Sequence, residues 1–174
     1  GFFTWLIKKY RDPELVWLYD RYIKNPSIMD VLYDISNIPK QLPEGLKGMK
    51  WFKDIGTVVF RSGDEHDPFV FTFRCGPFAN HQHLDQGTFY LADRGELFIT
   101  ELGYSDYYDD PIYQSHIIQP IGHNCILVDG NPQCQKTGDH RLYAPSMKHH
   151  ARIRAAVDGG ELACAIGKLD PIYL

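Results

Sequence analysis

The chain holds no apolar run near the ~20 residues that span a bilayer. It has no excess of basic charge either: 18 Lys and Arg stand against 22 Asp and Glu, a formal charge of −4. A nucleic-acid partner usually leaves a basic patch, so that class finds no support. Four cysteines (Cys75, Cys125, Cys134, Cys164) form no CxxC pair. They are too few and too scattered for a disulfide scaffold, and they leave the redox compartment open. No internal repeat or low-complexity tract stands out. The opening Gly1-Phe2-Phe3-Thr4-Trp5 has no initiator Met and no signal-peptide pattern, which sets the expectation of an internal or processed piece of a longer chain.

What is present is aromatic and short-period. At 174 residues the chain can bury one domain, or one domain plus a fragment. Aromatic residues make up 14%, eleven of them Tyr, which suits a carbohydrate-facing surface and a packed β-sandwich equally. Asp12-Pro13-Glu14 is a helix start: Asp as N-cap, Pro in the first turn, an acid beside it. Leu15, Val16, Leu18, Tyr19, Tyr22 and Ile23 then recur at helical spacing. Asn25-Pro26-Ser27 repeats the start signal before Ile28, Val31, Leu32 and Ile35. Pro39, Pro43 and Gly45 break the pattern as a linker. Two such helices cannot enclose a core alone, so residues 1–45 are expected to cap a larger helical region upstream.

From Trp51 the period changes. Thr57–Arg61, Phe69–Cys75, Thr88–Asp93, Leu97–Thr100, Cys125–Val128, Ala151–Val157 and Leu162–Ile166 are short β-rich runs between turn residues. Asp93-Arg94-Gly95-Glu96 has hairpin chemistry. The fold expected is mainly β, an antiparallel β-sandwich over residues 46–174 preceded by two short helices. The stretch 103–121 lacks a strong period, and a loop that long in a compact domain is usually functional or disordered. Its tyrosines argue against disorder.

Chemistry concentrates in Asn80-His81-Gln82-His83-Leu84-Asp85 and in His123-Asn124. In an extended strand His81, His83 and Asp85 would leave one face, about 6–7 Å apart in succession. Such a row can hold a metal beside a proton-transfer group. Imidazole and carboxylate are the usual zinc ligands outside thiolate sites. Glu101 and His123 flank expected strands and are placed to converge on the His83 side. His66, His116, His140, His149 and His150 read as ordinary surface histidines; adjacent His149 and His150 would face opposite sides of a strand.

The segments NHQHLDQGTFYLADRGELFITELGYSDYYDDPIYQ and IGHNCILVDGNPQ resemble the heparinase II/III-like polysaccharide lyases. That resemblance implies an α/α toroid followed by an antiparallel β-sandwich, with the helices before residue 40 as the end of the toroid. It implies His81 as an active-site histidine, and His83 and His123 as ligands of a structural zinc. Glu101, which stands where the family usually has an Asp ligand, is expected as the third zinc ligand. Tyr113 aligns with a catalytic tyrosine. The implied reaction is β-elimination on uronic-acid-containing glycans: a base removes the C5 proton and an acid protonates the departing O4. Tyr113 is the acid or acid–base, and His81 its partner. Asp85 is expected to orient a histidine from behind. Asn80 and Asn124 are expected to contact substrate or brace loops. The implied partners are an acidic polysaccharide and the upstream toroid, which carries the remaining catalytic groups. The implied setting is bacterial, periplasmic or secreted. Two other readings stay open: a non-catalytic carbohydrate-binding or supporting sandwich, and a zinc hydrolase.

Overall fold

The structure is a computed structural model, and it describes residues 1–44, 46–62, 68–78, 83–103, 105, 109–130, 133 and 150–173. The chain divides into two compact units, Gly1–Leu46 and Lys47–Leu174.

The first unit holds three short helices, α1 (Phe2–Tyr10), α2 (Pro13–Tyr22) and α3 (Ile28–Leu32). The Asp12 carboxylate accepts from the Glu14 and Leu15 amides and caps α2 as its sequence implies. Ser27 caps α3 in a capping box with Asp30. Helix α1 went unread: its N-cap is Gly1, with no side-chain cap, and it has no acid in its first turn. The unit buries little. Ile7 and Ile38 are its buried apolar residues, while Phe2, Ile28, Val31 and Leu32 are well exposed.

The second unit is mainly antiparallel β. Strands β1 (Gly48–Phe52), β2 (Thr57–Ser62), β3 (Phe69–Arg74), β4 (Phe89–Asp93) and β5 (Glu96–Ile99) form one sheet in chain order. Strands β6 (Arg152–Asp158) and β7 (Ala163–Lys168) form a two-stranded sheet. Asp93 pairs with Glu96 across the β4–β5 hairpin. Arg94 and Gly95 both have positive φ, 47° and 79°, the requirement of a type I′ turn. One expected strand is absent: within Cys125–Val128 only Val128 makes a bridge, and the chain turns at once through Asp129 and Gly130 at positive φ.

The two sheets face one another over a core of Val58, Cys75, Phe78, Leu84, Ala151, Ile153 and Ile172. The approach is close at Gly167, where an added Cβ would lie 2.8 Å from both Cys75 Sγ and the Phe73 ring. Toward one end the sheets diverge around a cavity of about 580 Å³ lined by Phe60, Phe71, Phe73, Phe89, Ala163 and Ala165 among others. Phe71 stacks on Phe89 with ring centroids 5.8 Å apart.

Candidate functional site

The site residues sit on connections at one end of β3, β4 and β5. After β3 the chain passes through 79–82, which include Asn80 and His81 and lie outside the described residues. His83 to Thr88 is a loop, not the strand that alternation suggested. Its backbone bonds explain why. Gly87 N–H donates to Arg74 O (2.8 Å), Thr88 N–H to Asp85 O (3.1 Å), and Leu84 N–H to Ile118 O (2.8 Å). The segment thus bends back on β3 and is hooked to a second loop, and Gly87 takes φ 87° to allow it.

That second loop contains the one-turn π-helix Tyr113–Ile117 and the 3₁₀ turn Pro120–Gly122. Asp110 starts it by accepting from the Ile112 amide at 2.9 Å. The π turn presents Tyr113, 5% exposed, edge-on to the His83 ring, with centroids 6.0 Å apart and planes at 79°. Single π turns are frequent at functional sites. Gly122 lies against the same turn, since an added Cβ would be 2.4 Å from His116 O. The next residue, His123, is thereby carried to a ring-to-ring distance of 5.2 Å from His83.

Behind His123 stands Glu101. One carboxylate oxygen bonds His123 Nδ1, and the other accepts from Thr88 Oγ1 at 3.0 Å. The imidazole of His123 is 3% exposed, and its Nε2 is buried with no hydrogen-bond partner among the described residues. His83 has its pKa lowered, first by burial and then by the nearby His123, with Glu101 opposing. The neutral ring is therefore favoured there. Burial, with Glu101 and Asp85 adding to it, raises the Tyr90 hydroxyl pKa.

Among the described residues Asp85 meets Gln86 and Arg74. Its carboxylate accepts from Gln86 Nε2 at 3.1 Å and lies 3.5 Å from Arg74 Nε. Burial pushes the Asp85 carboxyl up against the pull of that guanidinium. The carboxylate that holds the His123 imidazole is Glu101. Among the described residues no group of three or more His, Cys, Asp or Glu is arranged to hold a metal ion. Asn124 donates both amide hydrogens to backbone, to Phe89 O (3.1 Å) and Thr100 O (3.0 Å), and so braces the β4–β5 pair where it opens toward His123.

Two buried polar residues escaped the sequence reading. Gln86 and Gln133 are both fully buried and hydrogen-bond each other behind the loop. Only their position beside the HxHxD and HN segments could have hinted at it.

The antiparallel β unit thus carries two neighbouring imidazoles and an edge-on tyrosine on adjacent loops. The model of the family described as "Heparinase II/III-like, C-terminal" matches residues 44–164, and the chain belongs to that family. No curated protein matches the sequence. Among solved structures the chain is similar to a heparinase III, the BT4657 gene product, at 18% identity and TM-score 0.58, covering 94% of this chain and 23% of that one. It is also similar to a mutant of the heparan sulfate lyase HepC from Pedobacter heparinus, at 19% identity and TM-score 0.61, covering 95% of this chain and 24% of that one. The chain thus spans about a quarter of the length of these structures.

Proposed function

We propose that this chain is the C-terminal part of a polysaccharide lyase that cleaves uronic-acid-containing glycans by β-elimination. The observation that carries this is the grouping of Tyr113, His83 and His123 in a member of a lyase-named family. Elimination needs a base at C5, an acid at the leaving O4, and donors that stabilise the charge developing beside the carboxylate. Tyr113 is the proton-transfer group at O4 or C5. His81 is its partner, neutralising the uronate carboxylate or taking the C5 proton.

His83 and His123 fit a zinc ion. Zinc accepts imidazole nitrogen, the His123 Nε2 is a buried polar atom without a partner, and its Nδ1 is held by a carboxylate as in many zinc-bound histidines. Glu101 orients His123 in this arrangement. When bound, the ion supplies positive charge and a fixed geometry between the two loops. No step requires an attacking water, so a hydrolytic open position on the metal is not part of the reading.

The exposed apolar side chains of α1 and α3 support an upstream helical domain as the other wall of the substrate cleft. An acidic glycan substrate goes with a periplasmic or secreted bacterial setting. The test is product chemistry with the full-length protein on uronate glycans. β-Elimination gives an unsaturated, ultraviolet-absorbing sugar end. Glycan binding without turnover would favour a supporting sandwich, and saturated products would favour a hydrolase.

A further inference from the structure

Gln86 and Gln133 form a closed hydrogen-bonded pair inside the second unit. The Gln86 backbone N–H donates to Gln133 Oε1 at 2.9 Å. Gln133 Nε2 returns a bond to Gln86 O at 2.8 Å. One side-chain amide thus gives Gln86 the donor–acceptor pairing that a neighbouring strand would provide. The second hydrogen of Nε2 goes to the Tyr173 hydroxyl at 3.0 Å, and that hydroxyl donates to Ile126 O. The Gln86 side chain is equally committed. Its Oε1 accepts from Gly76 N–H at 2.6 Å and its Nε2 donates to Asp85 Oδ1 at 3.1 Å. Five stretches of chain, around residues 76, 86, 126, 133 and 173, are therefore joined through two amides with no solvent exposure and the Tyr173 hydroxyl.

A buried amide network of this kind is all or nothing, because any group left unpaired bears its full desolvation penalty. A hydrophobic core would bury these stretches more simply but would not set their register. The bonds set the register of the turn three residues after His83, and Leu84 is hooked to the loop bearing Tyr113 on its other side.

We propose that Gln133 is a positioning residue: through the backbone of Gln86 it fixes the turn that aims His83 at His123. This deepens the proposed zinc site and rests on it. The pair should act on metal affinity by more than its effect on folding. A hydrophobic replacement of equal volume, Gln133→Met, keeps the packing and removes both bonds to Gln86.

The experiment compares the full-length protein with Gln133→Met, Tyr173→Phe and a core control, Ile153→Val, using zinc competition against a chromophoric chelator and amide hydrogen exchange. Expected are zinc affinity weakened about 10-fold in Gln133→Met, a smaller loss in Tyr173→Phe, none in Ile153→Val, and faster exchange at the Gln86 amide in the first variant only. Gln133→Met binding zinc like the parent protein, or Ile153→Val matching its loss, overturns the inference while leaving the site in place. If Gln133→Met does not fold, Tyr173→Phe decides by the same comparison. If the parent binds no zinc, the site itself fails. The imidazole resonances of His83 then decide the positioning role: a change in Gln133→Met but not in Ile153→Val sustains it, and no change removes it.

Discussion

The Glu101 carboxylate bonds Nδ1 of His123 and leaves Nε2 of the same ring buried without a hydrogen-bond partner among the described residues. An ionised carboxylate only accepts, so Nδ1 is the donor of this pair, and in the neutral ring Nε2 carries the lone pair. A buried imidazole nitrogen left in that state is costly unless something fills the gap. The proposed zinc would fill that gap.

Purified protein should accordingly carry about one zinc per chain by metal analysis. His83→Ala and His123→Ala should each abolish it. Glu101→Gln keeps an acceptor for Nδ1, and should weaken zinc by about 10–100-fold rather than remove it. Free zinc at a hundred times its dissociation constant should add about 2.7 kcal/mol to stability, read as a rise in melting temperature that a chelator reverses.

In the full-length protein, Tyr113→Phe should lower turnover by about 10²–10⁴-fold with little change in zinc content. His81→Ala should do the same. Continuous ultraviolet absorbance of the unsaturated product follows both. Undiminished turnover in either variant would remove that residue from the chemistry.

Thiol labelling offers a check on the packing. Burial raises Cys75 to about 11 and Cys125 to about 12, so at pH 8 their thiolate fractions are near ~10⁻³ and ~10⁻⁴. Cys164 is exposed. Peptide mapping after alkylation at pH 8 should find Cys164 modified at least about 100-fold faster than Cys75 or Cys125, with the difference lost in denaturant.

The crossing of the β1–β2 turn over the end of β3 admits no side chain. At Gly76 a new Cβ would be 2.4 Å from Ile55 O and 2.8 Å from Gly56 Cα. Gly76→Ala should therefore destabilise by roughly 1–3 kcal/mol, measured as a shift in the urea midpoint. The loop after β3 should loosen with it, because the Gly76 amide holds Gln86.

Local chemistry was legible where it is self-contained. Asp12-Pro13 announces α2 because the cap acts on amides two and three residues away. Asp93 to Glu96 announces its hairpin because Arg94 and Gly95 adopt the turn by themselves. Strand β1 was not announced, since Met49, Lys50 and Trp51 alternate too briefly after the proline-rich linker, and its register comes from β2. The alternation in His81-Gln82-His83-Leu84-Asp85 suggested a strand, but bonds to Arg74 and Ile118 fold the described part into a loop. For Asp85, Arg74 lies nearby and takes the ion pair, while Glu101 reaches His123 from 22 residues away. Gln86 and Gln133 lie 47 residues apart, and isolated glutamines look like surface polarity until the fold closes over them.

The Asn124 clamp has a consequence beyond bracing. Its amide grips the carbonyls at residues 89 and 100, one position along from the imidazole at 123. Occupancy of the histidine pair should therefore tighten a hairpin that touches no ligand. Slower backbone exchange along β4 and β5 would then report events at the site.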